Sequence, residues 1–180
     1  AMSGRERTLV RLSIDGRAVA GLGVDHELFC GAMLAPCGRD PEARALAVTN
    51  DQTIVTARSG SLARFVHGSP VTVYLAPGAE FLDVAVGESG GVGFVAGAAR
   101  DGSLWLFRAS APEPWAVLRD HGARSDTITF DPLGRFVAAG GWDGHVVFWP
   151  IAPVDADRRD AVESHWGLGL SEVFTPSMAR

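Results

Sequence analysis

A two-residue turn signal recurs along this chain at a nearly fixed interval, and it constrains the fold more than any other feature. The turns are Asp25-His26, Ser59-Gly60, Asp101-Gly102 and Asp143-Gly144; the last three lie 42 residues apart, while the first precedes the second by 34. Their surroundings share a pattern: VAGLGVDHEL at 19–28, TIVTARSGSL at 53–62, VAGAARDGSL at 95–104 and VAAGGWDGHV at 137–146. Three positions after the first turn residue stand Leu28, Leu62, Leu104 and Val146. Six positions after it stand Gly31, Phe65, Phe107 and Trp149. A repeat of this length makes each unit one supersecondary element that buries its apolar faces only against its neighbours.

Each unit reads as strands. A β-prone run opens it: Thr8–Ile14, Ala45–Thr49, Phe81–Val86 and Thr127–Phe130. A turn such as Glu88-Ser89-Gly90-Gly91 or Asp131-Pro132-Leu133-Gly134 follows. Next comes a Val/Ala/Gly run, suited to a strand buried at close quarters on both faces. The Asp-Gly turn then reverses the chain as a tight hairpin requires. The third strand alternates, with Leu104 and Leu106 against Trp105 and Phe107. Outer strands are expected at Val71–Leu75 and Trp115–Leu118. The shorter first unit has lost a strand or shortened its loops. Twenty-two glycines and ten prolines, spread along the chain, agree with an all-β protein of many turns.

Four antiparallel strands in about 42 residues is the size of a propeller blade, and the sequence resembles the WD-repeat β-propeller family. The likeness is best in 121–149. There His121 and Asp143 match the family's loop histidine and turn aspartate, and Trp149 matches the tryptophan that ends the third strand. The match departs from the pattern where Gly122 follows His121, where Pro150 replaces an aspartate, and where Ala139 stands in place of a serine or threonine. The resemblance implies an all-β fold of about four WD-like blades over 8–151, at approximately 8–42, 43–80, 81–120 and 121–151. It implies a structural role for His121, Asp143, Trp149 and Asp101. The family commonly uses seven blades, so four make at most a small closed ring. Otherwise they pair into an eight-bladed homodimer, or a second propeller chain completes them. Residues 152–180 break the pattern; 155–166 read as a short helix with an acidic start, and 167–174 as a possible closing strand.

No chemistry-bearing motif interrupts the repeat. Nucleophile-elbow, His-Glu-x-x-His and phosphate-loop patterns are missing from the sequence. The five histidines are scattered, so no metal, cofactor or catalytic residue is expected, and the chain is expected not to be an enzyme. Cys30 and Cys37 are expected to serve as small apolar residues, although they could pair. A net charge of −5 makes nucleic acid a poor partner. No run is long and apolar enough for a membrane span, and a cytoplasmic location is expected. The resemblance implies a binding face instead. In the family the residue before each Asp-Gly turn often contacts partners, which points to Arg58, Arg100 and Trp142; so does the third residue after the loop histidine, Arg124. Arginine and tryptophan dominate binding hot spots. The expected function is a protein-interaction scaffold for a protein or acidic peptide. The alternatives are an enzyme or small-ligand propeller with its site in a central channel, and a structural module completing a larger ring.

Overall fold

The computed structural model describes residues 7–12, 16, 18–119 and 123–151. His121 and the expected helix and closing strand of 152–180 lie outside the described residues.

Every regular element described is a strand, and every pairing is antiparallel. The first sheet is a meander of β1 (Arg7–Leu12), β2 (Val19–Gly23), β3 (Glu27–Cys30) and β4 (Ala35–Arg39). The first unit has therefore kept four strands and shortened its loops. The last sheet holds three strands: β11 (Ser125–Phe130), β12 (Phe136–Gly141) and β13 (Val146–Pro150).

Between them lies a sheet of β5 (Ala45–Val48), β6 (Ile54–Val66), β7 (Ser69–Ser89), β8 (Val92–Ala99), β9 (Leu104–Arg108) and β10 (Pro114–Leu118). Two of its strands are not straight. Thr56 Oγ1 lies 3.4 Å from the carbonyl oxygen of Ala63, whereas seven extended residues span about 23 Å. The chain therefore doubles back within β6, at Ser59-Gly60, where Gly60 has a φ of 76°. β7 serves two neighbours in succession. Ser69–Leu75 pairs with the second half of β6, and Phe81–Ser89 pairs with β8. The break between them falls at Pro77, which lacks an N–H, and Gly78, with a φ of 83°. The middle sheet thus contains two successive sets of four strand segments, with outer members at Ser69–Leu75 and Pro114–Leu118, where outer strands were expected at 71–75 and 115–118.

The recurring turns share one backbone device. The amide of His26 donates to Gly23 O at 3.0 Å, that of Gly102 to Ala99 O at 3.0 Å, and that of Gly144 to Gly141 O at 3.2 Å. Each donor residue has a positive φ, which favours glycine. His26 occupies that conformation at a φ of 63°, and its Nδ1 lies 3.1 Å from Ala43 O. The preceding aspartates close the turns: Asp25, Asp101 and Asp143 each accept a bond through Oδ1 from the amide two residues on, at 3.2, 3.0 and 3.0 Å. That is why aspartate recurs there.

Three apolar clusters join the strand sets in series. Leu22 and Leu28 pack with Leu46, Ile54 and Phe65. Leu62 and Tyr74 pack with Phe81, Val95 and Phe107. Leu104 and Leu106 pack with Phe130, Val137 and Trp149. In each cluster the residue three past a turn points forward, and the residue six past the next turn points back. The small-residue run permits the close approach: a Cβ on Gly97 would sit 2.5 Å from the Phe81 ring. One sequence expectation fails here. Cys30 and Cys37 are joined as a disulfide, with Cα atoms 5.8 Å apart, because their strands are adjacent in the first sheet.

Candidate functional site

Two of the residues before the turns, Arg100 and Trp142, hold the same edge position of their strand sets. The amide of Arg100 donates to Glu80 O at 2.9 Å, and that of Trp142 donates to Arg124 O at 3.3 Å. Glu80 and Arg124 each precede the first strand segment of their set, so these two pairs are equivalent positions of the repeat.

What the side chains do there differs. Trp142 is 77% exposed, and the Arg124 guanidinium lies 5.1 Å from its ring centroid. That is a cation–π distance. Arg124 Nε also donates to Asp126 Oδ1 at 2.6 Å. Arg100 sits over Glu80, whose carboxylate is shared with Arg44 at 2.5 Å and with Arg100 at 3.3 Å. The Arg44 and Arg100 guanidiniums hold the Glu80 carboxyl below its ordinary pKa. Arg58 is largely buried; its Nε donates to Asp40 Oδ2 at 2.9 Å, and Asp40 is fully buried. The structure thus brings Arg124 and Trp142 together, joins Arg100 to Glu80, and turns Arg58 inward. Each of the three arginines carries a carboxylate partner.

The residues expected to be structural are placed as follows. Trp149 is 3% exposed within the last cluster, with its indole Nε1 buried and without a hydrogen-bond partner among the described residues. Asp143 accepts from the His145 amide, and its Oδ2 lies 3.2 Å from His145 Nδ1. Its expected bond to His121 lies outside the described residues. Asp101 accepts from both the amide and the hydroxyl of Ser103, at 3.0 and 2.6 Å, and Ser103 Oγ accepts from Trp105 Nε1 at 3.0 Å. Burial alone would raise the Asp101 pKa; the two Ser103 bonds together with the Arg119 charge outweigh it and leave the group below its ordinary value.

Asp40, Arg44 and Glu80 were not singled out by the sequence reading. The repeat spacing did not point to Glu80: the turns at Asp101 and Asp143 lie 42 residues apart, whereas Glu80 and Arg124, equivalent in the structure, lie 44 apart. Nothing local marks Asp40, which follows β4 and finds its partners, Thr56 and Arg58, in the next unit.

A cleft of about 380 Å³ opens between the first strand segments of three sets, lined by Leu46–Val48, Asp83–Val86 and Thr127–Phe130. Its walls are aliphatic apart from Thr127, Thr129, Phe130 and Asp83. The Asp83 carboxylate accepts from the Ile128 amide at 3.1 Å, which ties β7 to β11. Among the described residues no three His, Cys, Asp or Glu side chains are grouped to hold a metal ion, and no helix is long and apolar enough to cross a membrane.

No protein-family model matches the chain. A 57-residue stretch, 32% of the chain, is 28% identical to the ubiquitin fusion degradation protein 3 homolog of Caenorhabditis elegans, of which it covers 7%.

Proposed function

We propose that this chain is a WD-repeat-like propeller segment that works as a non-catalytic scaffold and binds a protein or peptide partner at the edge bearing Trp142 and Arg124. The observation that carries the reading is Trp142, a large aromatic at 77% exposure beneath a guanidinium. Such a pair offers wide contact area and a directed cation, the ingredients of a hot spot. The neighbouring arginines are paired with carboxylates, so a partner gains less from bulk positive charge than from the aromatic anchor. The cleft between the first strand segments supports catalysis poorly, because its one carboxylate is engaged by the backbone.

The test is a peptide-display selection run in parallel on the wild type and on Trp142→Ala, with ubiquitin titrated separately as a defined probe suggested by the name of the relative. Peptides enriched on the wild type and lost on the variant support the reading. Identical selections on both, with no loss, would sink it.

A second reading, that the chain completes a larger array, is favoured by a break in the packing. Leu28, Leu62 and Leu104 are fully buried, but their counterpart Val146 is 56% exposed. Among the described residues nothing covers the forward face of the last sheet, as expected where a further unit packs against it. Light scattering on a sizing column checks this: twice the 19.0 kDa chain mass supports self-association. A monomer whose Val146 stays reactive when mutated to cysteine turns attention to a second chain.

A further inference from the structure

We infer that the Cys30–Cys37 disulfide is a local redox clip that fixes β4 and, through it, the buried Asp40–Arg58 pair at the first junction. β4 is a poor strand on its own. Its sequence is Ala-Pro-Cys-Gly-Arg, in which Pro36 has no amide to donate and Gly38 adds no side chain to pack. Its ladder to β3 is broken by a register shift between Leu28 and Phe29, which leaves Cys37 between the paired Pro36 and Gly38. The connecting turn is conformationally costly as well, with Leu34 in the left-handed region at a φ of 47° and Met33 86% exposed. A strand with an interrupted ladder, poor strand formers and such a turn leans on the covalent link for its position.

What that link secures lies immediately downstream. Cys37 and Gly38 press against the backbone of Gly68, in the turn between β6 and β7, so closely that neither glycine has room for a side chain. Asp40 then enters the interior. Its amide donates to His26 O at 3.0 Å, and its carbonyl accepts from Ala43 at 3.1 Å. Its carboxylate accepts from Thr56 Oγ1, from Arg58 Nε and, at 3.2 Å, from the Glu42 amide. Releasing β4 frees the segment that carries this carboxylate, and Arg58 loses its buried partner.

Both cysteines are half-buried rather than sealed, so a small thiolate can reach the bond. The chemistry is thiol–disulfide exchange. A dithiol reductant attacks one sulfur to give a mixed disulfide; its second thiolate resolves that species. The products are two protein thiols and the oxidised, cyclic reductant. In a reducing compartment such a bond would turn over with the thiol pool, whereas in an oxidising one it would persist.

Amide hydrogen exchange on the oxidised wild type, with and without dithiothreitol, tests the clip, with thiol alkylation and mass measurement confirming the state of the bond. Reduction should lower protection at Asp40, Ala43 and Arg44 by roughly tenfold or more while leaving Ala99 and Gly102 unchanged. The C30S/C37S double variant should match the reduced protein and ignore the reductant. Three results would overturn the inference: alkylatable thiols in protein handled under oxidising conditions, unchanged exchange at 40–44 on reduction, or a uniform loss that includes Ala99 and Gly102.

Discussion

The junction around Leu62, Phe81 and Phe107 and the outward face of β12 and β13 are built from equivalent positions of one repeat, yet among the described residues the first is sealed and the second is uncovered. At the junction, Tyr74 and Phe107 meet at 5.2 Å between ring centroids, both buried, and the Tyr74 hydroxyl donates to Ala109 O at 3.0 Å. Burial raises the Tyr74 pKa and keeps that donor protonated. On the last sheet Phe136 and Phe148 meet edge-on at 5.3 Å but stay half-exposed, and Val146 faces solvent. The repeat thus specifies a side chain's direction, and what packs against that face decides whether the direction is inside.

Truncation at matched positions should show the largest contrast. Leu104→Ala removes a fully buried side chain and should cost about 2–5 kcal/mol in urea denaturation. Val146→Ala, at the same place in the next unit, should change stability by no more than about 0.5 kcal/mol. Comparable losses at both sites would mean that the last sheet is covered in solution, and the contrast would collapse.

The turns allow a second matched pair. Gly102 and Gly144 share the left-handed conformation, with φ values of 84° and 79°. A Cβ on Gly102 would collide with the Ala123 backbone, whereas one on Gly144 meets nothing within 4 Å. Gly144→Ala should therefore cost only the conformational penalty of about 1–2 kcal/mol. Gly102→Ala should cost about 1–3 kcal/mol more, for the overlap. Thermal or urea unfolding of both variants measures the difference directly.

Much of this fold was legible in the chain because turn chemistry is local. Asp-Gly at 101 and 143 announces a reversal wherever it falls, and the alternation of Leu104 and Leu106 with Trp105 and Phe107 needs only a period of two. The disulfide was not legible: Cys30 and Cys37 are brought together by the β3–β4 register, and poor strand formers such as Pro36 and Gly38 hid β4. The site divides in the same way. Positions before the turns were found by alignment, but their environments depend on partners distant in sequence. Glu80 claims Arg100, and Asp40 draws Arg58 inward, so three arginines that look alike on paper have three different surroundings.

Acid should act on the last sheet through Asp131. Arg135 grips this carboxylate twice, Nε to Oδ2 at 2.6 Å and Nη2 to Oδ1 at 2.9 Å, and holds its pKa below the ordinary value. The folded state therefore binds that proton less readily than the unfolded chain. The stabilisation is present above the unfolded pKa of about 3.9 and fades as pH falls through the lower folded value. In Asp131→Asn the acid limb of the stability curve should be shallower than in the wild type; curves of identical slope would show that the pair contributes nothing.

A small expected effect on stability is the one that separates binding from folding. Trp142 touches the fold mainly through its backbone amide and the Arg124 guanidinium, and its ring is mostly in water. Trp142→Ala should forfeit one exposed cation–π contact, about 0.5–1 kcal/mol, and release Arg124 to its remaining bond with Asp126. Trp149, seven residues on and 3% exposed, is the internal control: Trp149→Ala should cost about 3–5 kcal/mol by opening the last cluster. If the two tryptophans instead prove equally costly, Trp142 is packed in solution and cannot be a free anchor. A Trp142 variant that folds like the wild type but loses every selected peptide would place recognition on that side chain.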